Sequence, residues 1–263
     1  MNRIDEKFGK LKEMKRAALM PYLPLGYPTM DASQQLIRAV ADAGADVIEL
    51  GVPFSDPLAD GPVIQRAAQI ALQNGMTLAR CLEMARAARA DGITIPLVLM
   101  GYYNPILRFG IEEFTRAAND AGVDGLIVPD LPPEEAHALD AASRAGDLDL
   151  IFLAAPTSPP ARLQKIANAT RGFLYLVSVM GVTGARDQVA ADLSDFVARV
   201  RGVTTKPICV GFGIASAESA KRVARLADGV IVGSALVSRI GDPNNAVESA
   251  REFVAELHAA IDV

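Results

Sequence analysis

The chain has 263 residues, 51% of them hydrophobic and 22% charged, which is enough for one sizeable core or an α/β barrel in a single domain. Its formal net charge of −5 argues against nucleic acid and anionic membrane surfaces as partners, and no apolar run reaches the roughly 18 residues of a membrane span. Two cysteines, Cys81 and Cys209, and two histidines are too few for a structural zinc site; with no signal-peptide pattern at the start, this reads as a cytoplasmic protein with free thiols.

The opening stretch MNRIDEKFGKLKEMKR is amphipathic and predicts an extra helix before the first strand, lying across the bottom of the fold. Short apolar runs follow: LMPYLPL from Leu19, DVIEL from Asp46, PLVLM from Pro96 and GLIVPD from Gly125. Four more are LDLIFLA from Leu148, FLYLVSV from Phe173, PICVGFG from Pro207 and GVIVG from Gly229. Each is continuously apolar, as expected of parallel strands covered on both faces. Between them, segments such as MDASQQLIRAVADAGA and GIEEFTRAANDAGV carry apolar residues at helical spacing and end in Ala-Gly. Eight units in 263 residues leave about 33 residues each, the size of a βα repeat. The fold expected is a (β/α)8 TIM barrel with an extra N-terminal helix, one domain over residues 1–263. A doubly wound open sheet is the alternative, since its elements look alike locally. In a barrel, residues just past each strand face the active site.

Glu49 is the first candidate for chemistry. It sits in the middle of the second apolar run, sharing a strand face with Val47 and Gly51. Either face of a barrel strand is buried, so an isolated carboxylate there carries a large desolvation penalty and a raised pKa. That property suits a proton donor near neutral pH. Pairing with a basic residue is the structural alternative, but none lies between Arg38 and Arg66. The loop that follows holds Asp56 before Pro57, and Asp60 shortly before Pro62, where a helix is expected to begin. Its length suggests function, yet either aspartate reads equally well as a turn residue, and spacing prefers neither.

The phosphate signal is stronger. The seventh strand ends in VGFGIASAES, with Gly211, Phe212 and Gly213, and the eighth in VGSALV, with Gly233 and Ser234 opening a short helix. Loops in these two places form the common phosphate site of the fold, through amide N–H groups and a helix N-terminus. SVMGVTGARDQV after the sixth strand suits a mobile lid with Thr183 and Gly184 at its tip, or a plain flexible connection. Tyr22, Met100, Tyr175 and Phe212 stand at strand ends and would line a pocket for a flat aromatic group; singly, each reads equally as core.

Taken together, ELGVPFSDPLADGPVIQ from Glu49, MGYYNPI from Met100, GLIVPDLP from Gly125, YLVSVMGVTGAR from Tyr175, VGFGI from Val210 and VGSALV from Val232 resemble the α subunits of tryptophan synthase over essentially the whole chain. The resemblance implies retro-aldol cleavage of indole-3-glycerol phosphate to indole and D-glyceraldehyde 3-phosphate, with no metal or organic cofactor. It also implies a β subunit that receives the indole through a tunnel, in an α2β2 tetramer. Carried over, it makes Glu49 and Asp60 the catalytic carboxylates with Tyr175 beside them. Gly184, Gly211, Phe212, Gly213, Gly233 and Ser234 become the phosphate cradle, Tyr22 and Met100 pocket walls, and Thr183 the lid residue. Asp56, Pro57, Asn104 and Pro132 fall where the β subunit is contacted. The chain departs from the family after the first strand: Pro24 and Tyr27 stand where a Thr and an acidic residue are usual, and Tyr22 replaces a phenylalanine. This leaves the contacts to the indole ring and the following loop open. A phosphosugar isomerase is a rival reading, but such enzymes recruit a lysine or histidine at strand ends, whereas His137 and His258 fall in expected helices. A purely regulatory subunit that switches a partner on is another.

Overall fold

A computed structural model describes residues 2–177, 186–211 and 213–262. Its strands are β1 (Ala18–Pro24), β2 (Ile48–Gly51), β3 (Leu97–Met100), β4 (Gly125–Ile127), β5 (Asp149–Ile151), β6 (Leu153–Ala154), β7 (Leu174–Val177), β8 (Ile208–Gly211) and β9 (Gly229–Val232). They form one sheet in the order β5-β4-β3-β2-β1-β9-β8-β7-β6, and every pairing is parallel. The two ends of that order, β5 and β6, are successive pieces of the fifth expected strand, so the sheet closes on itself as the expected barrel.

The break falls at Phe152. Its N–H donates to the Thr170 hydroxyl at 3.0 Å rather than to a strand, and its carbonyl accepts from Tyr175 N–H at 3.2 Å. Eight expected strands thus appear as nine described pieces because one side chain, 18 residues away, takes a ladder position.

Helices cover the outside, among them α2 (Met30–Asp42), α3 (Pro62–Gln73), α4 (Leu78–Ala90), α5 (Tyr103–Phe109) and α6 (Ile111–Asp120). Strand residues alternate between two cores. Leu19, Ile48, Leu50, Leu97, Leu99, Leu126 and Val210 face the helices. Met20, Val47, Val98, Ile127, Ile151, Phe173, Tyr175, Cys209 and Ile231 fill the barrel interior. The N-terminal helix α1 (Arg3–Glu13) lies below that interior as expected, adding buried Ile4, Phe8 and Leu11 to the same cluster. Each such side chain is worth roughly 1.5–3 kcal/mol of burial. Asn2 holds the plug in place: its side chain caps α1 by accepting from Ile4 N–H and donates to the carbonyls of Asp124 and Asp147.

At the same lower end, aspartates that open the strands form a repeated latch. Asp46 accepts from Leu19 N–H and pairs with Arg16 at 2.6 Å; Asp124 accepts from Leu97 N–H and pairs with Arg89 at 2.6 Å and Arg3 at 2.8 Å. Asp228 accepts from Ile208 N–H and pairs with Arg201 at 2.6 Å. Each latch joins the start of one strand to the start of the next. The upper end, where the strands stop, is built differently.

Candidate active site

Strand register sets the position of Glu49. It lies beside Tyr22 of β1 and Val98 of β3, on the interior face with Val47 below it. Only 1% of the residue is exposed, and among the described residues neither carboxyl oxygen has a hydrogen-bond partner. No basic side chain pairs with it among those residues, so the structural alternative fails. Burial, with the nearby charge of Asp60 second, pushes its pKa up to about 8. At neutral pH the group is a carboxylic acid.

Asp60 sits on the loop between β2 and α3. The helix begins at Pro62 as expected, but its N-cap is Gly61, and no side chain caps it. The Asp60 side chain therefore does not cap the helix, while its backbone N–H closes a turn on the Pro57 carbonyl at 3.1 Å. Burial raises its pKa, and the nearby Tyr102 hydroxyl pulls it back. Tyr102 also accepts from Ala59 N–H at 2.9 Å and packs on Phe54 with ring centroids 5.3 Å apart. It clamps the part of the loop that leads up to Asp60. Sequence reasoning quoted the stretch containing Tyr102 without giving that residue a role; its place two residues past β3, on the functional face, was the available signal. Asp56 is exposed, its side chain meeting only the neighbouring Ser55 among the described residues.

Two tyrosines flank Glu49, and each depends on a glycine. A Cβ on Gly51 would fall 2.2 Å from the Tyr22 hydroxyl, and one on Gly211 would fall 2.3 Å from that of Tyr175. The missing side chains are the space the phenols occupy. Burial raises the pKa of both phenols, so they stay protonated donors. Gly211 was expected in a phosphate cradle; what the structure adds is its service to Tyr175.

Glu49, Asp60, Tyr22, Tyr175, Met100, Gly213, Gly233 and Ser234 line one cavity of about 420 Å³. Ile64, Pro129, Leu153, Val177 and Ile231 supply apolar wall that sequence reasoning had not named. Gly213 has φ of +72°, a left-handed conformation that favours glycine. Gly233 caps the short helix Ser234–Arg239, which Ser234 opens. No lysine, arginine or histidine is among the described lining residues. Thr183, Gly184 and Phe212 lie outside the described residues. His137 opens the helix His137–Ala145 and His258 lies in the last turn of the helix Ala246–Ile261, and neither lines the cavity. Tyr27 is buried, in a loop whose Gly26 and Pro28 carbonyls accept from Asn74, and it does not line the cavity either; Pro24 ends β1. Of the departures from the family pattern, only Tyr22 reaches the site.

Asp56 and Asn104 are exposed, and Pro57 and Pro132 half-buried, in segments that follow β2, β3 and β4 at the cavity end. Leu58, in the same loop as Asp56, is 93% exposed. Among the described residues, no three His, Cys, Asp or Glu side chains gather into a metal site, and no helix is long and apolar enough to cross a membrane.

The cavity offers proton transfer at neutral pH to a largely apolar molecule, with an amide-rich end suited to an anion. Fold and site together define a barrel enzyme working by general acid–base chemistry. Comparison with known proteins narrows this. The family profile for the tryptophan synthase alpha chain matches residues 8–262. The tryptophan synthase alpha chain of a Roseiflexus species is 51% identical over 259 residues, covering 98% of this chain and 99% of its own length. That of Chloroflexus aurantiacus is 49% identical over 263 residues, covering 99% of each. Among solved structures, tryptophan synthase subunit alpha from Legionella pneumophila superposes with a TM-score of 0.93 at 38% identity, over 100% of this chain and 99% of that one. A Mycobacterium tuberculosis tryptophan synthase structure gives 0.91 at 43% identity, over 100% and 99%. The chain belongs to the tryptophan synthase alpha chain family.

Proposed function

We propose that Glu49 and Asp60 carry the reaction of this family, the retro-aldol cleavage of indole-3-glycerol phosphate to indole and D-glyceraldehyde 3-phosphate. The observation that carries the reading is Glu49 itself: a buried carboxyl with no partner among the described residues, held protonated at neutral pH across a cavity from a second carboxylate.

Each step needs one of these groups. Protonated Glu49 gives its proton to C3 of the ring, which dearomatises it and places positive charge on the ring nitrogen. Asp60, nearer solvent and ionised, accepts the hydrogen bond from that N–H and offsets the charge. Glu49, now a carboxylate, removes the proton from the glycerol hydroxyl adjacent to the ring. The C3–carbon bond breaks as the aldehyde forms, its electrons restore the aromatic ring, and Glu49 ends as it began. One carboxyl serves as acid and then base because its environment and that of Asp60 separate their roles. Tyr175, on the far flank of Glu49, orients the reacting hydroxyl. The amide groups around Gly213, Gly233 and Ser234, with Gly211, Phe212 and Gly184, hold the phosphate without a dedicated cation. Thr183 reaches from a lid.

The same reading makes residues 1–263 one cytoplasmic domain. It places a β subunit on the cavity face, at Asp56, Pro57, Asn104 and Pro132, in an α2β2 tetramer. The indole tunnel then begins where indole is released.

The test is kcat on indole-3-glycerol phosphate for Glu49→Gln, Asp60→Asn and Asp56→Asn, with folding checked by circular dichroism. Glu49→Gln keeps the shape but transfers no proton, and is expected to lose roughly 10²–10⁴-fold. Asp60→Asn is expected to be severely impaired and Asp56→Asn nearly unaffected. Wild-type turnover by the Glu49 variant would make that residue structural. A purely regulatory subunit would show no turnover in any form.

A further inference from the structure

Tyr22 carries one group that the mechanism above leaves unused. Its ring runs along the cavity wall from β9 towards β2: its Cβ lies 3.8 Å from where a Gly233 side chain would begin, and its hydroxyl ends over Gly51. The phenol oxygen is thus on the carboxylate side of the cavity, away from the glycine-lined end. Among the described residues, nothing hydrogen-bonds it. The backbone of Gly51 is kept bare so that the oxygen fits.

The sheet order says what it can reach. β2 lies between β1 and β3, and the loop that carries Asp60 hangs from β2. Tyr102, just past β3, clamps that loop from one side. Tyr22, on β1, stands on the other. Glu49 is fixed in its strand with both oxygens unmet, so Tyr22 does not reach it. Asp60 is on a loop, half-buried, and is the group whose charge acts most strongly on the phenol, ahead of Glu49, Tyr102 and the Cys81 thiol of α4. Tyr175 is the remaining titratable side chain turned towards this space.

We propose that the Tyr22 hydroxyl donates a hydrogen bond to the Asp60 carboxylate in the substrate-loaded site, so that Asp60 is held between two phenols while it faces the ring nitrogen. Tyr22 is then a positioning residue, acting through Asp60 rather than on the substrate. The inference rests on the role proposed for Asp60. Its consequence has a definite sign. A donor to the ionised carboxylate favours that form and lowers its pKa, opposing the upward push of burial. Removing the donor should leave Asp60 protonated over a wider acid range.

The experiment is the pH profile of kcat, which reports the substrate-loaded enzyme, for the full chain on indole-3-glycerol phosphate, in wild type, Tyr22→Phe, Asp60→Asn and the double variant. Tyr22→Phe deletes one oxygen and keeps the ring, so the fold and the pocket wall should survive, with KM changed by no more than about twofold. Its acid limb should move up by about one pH unit, and kcat at pH 7 should fall about 10-fold, as expected for a lost hydrogen bond to a charged group. In the Asp60→Asn background the same change should have no further effect, because the two residues act as a unit. An unmoved acid limb overturns the proposal, and so does a Tyr22→Phe effect that persists when Asp60 is already an amide. If Asp60→Asn turned over normally, the role of Asp60 itself would be wrong; a normal Tyr22→Phe profile beside a crippled Asp60→Asn removes Tyr22 alone.

Discussion

The two ends of this barrel treat buried carboxylates in opposite ways. At the lower end Asp46 and Asp124 are 3% exposed, and each is met by an arginine and by a strand N–H. At the upper end Glu49 is 1% exposed and is met by nothing among the described residues. Desolvation is similar in the two places, so the partners make the difference. A paired carboxylate joins strands through its arginine and N–H partners. An unpaired one holds a proton and can give it away. The lower end is built for stability, and the upper end spends stability on a reactive group.

The widest separation should appear when one residue is changed at each end. If Glu49 transfers protons as proposed, Glu49→Gln should lower activity by roughly 10²–10⁴-fold. Urea unfolding should show no loss of stability, because an amide is easier to bury than an acid held without a partner. Asp124→Asn should do the reverse. It leaves Arg89 and Arg3 without their carboxylate, and breaking a buried pair from one side costs about 3–5 kcal/mol. Its kcat, measured on folded protein, should stay near wild type. A stable Asp124→Asn protein would mean that the latch is ornamental.

A smaller effect lies in the pH dependence of stability. Glu49 titrates near 4.5 when unfolded and at about 8 when folded. Between those values the native state binds more protons than the unfolded chain. Its contribution is therefore fully present below about pH 4.5 and is lost as pH rises to about 8, by about 1.4 kcal/mol per pH unit. The stability difference between wild type and Glu49→Gln should drift across that window and flatten above it. Turnover should decline over the same upper range, as the acid deprotonates. Identical pH profiles of stability for the two proteins would contradict a protonated Glu49.

Asp149 gives the finest comparison, since it is a lower-end carboxylate that only half follows the rule. Arg171 approaches one oxygen at 3.5 Å but is shared with Asp140, while the other oxygen has no partner among the described residues. Burial first, then the charge of Asp5, raises its pKa to about 6. Asp149→Asn should therefore change stability modestly, with a pH-dependent part confined to about pH 4–6. Thermal melts from pH 4 to 9 separate it from Glu49, whose window runs two units further. A drift continuing past pH 7 in the Asp149 variant would break that distinction.

Much of this was legible before any coordinates, for local reasons. Continuous apolar runs at near-regular intervals define parallel strands, and the helical spacing between them defines the cover, because both patterns follow from which faces must leave water. The amphipathic start defined the plug in the same way. Glu49 stood out because a charged residue inside such a run conflicts with burial, and that conflict is visible in one dimension. The resemblance to a family then extended the reading to Asp60 and to the glycines of the last two strands.

Other features depend on residues that are distant in sequence and adjacent only in the closed barrel. The fifth strand breaks at Phe152 because the Thr170 hydroxyl takes its N–H. Asp60 differs from Asp56 because Tyr102, more than forty residues on, holds its loop against the cavity. Gly51 and Gly211 are bare because phenols from neighbouring strands pass over them. The sequence by itself determined which segments are strands, which are helices, and that one carboxyl is buried, since burial preference and periodicity are properties of neighbouring residues. Only the tertiary structure decided which carboxylates find a partner, because hydrogen bonds and ion pairs act over a few ångströms and the closing of the barrel chooses what comes that near.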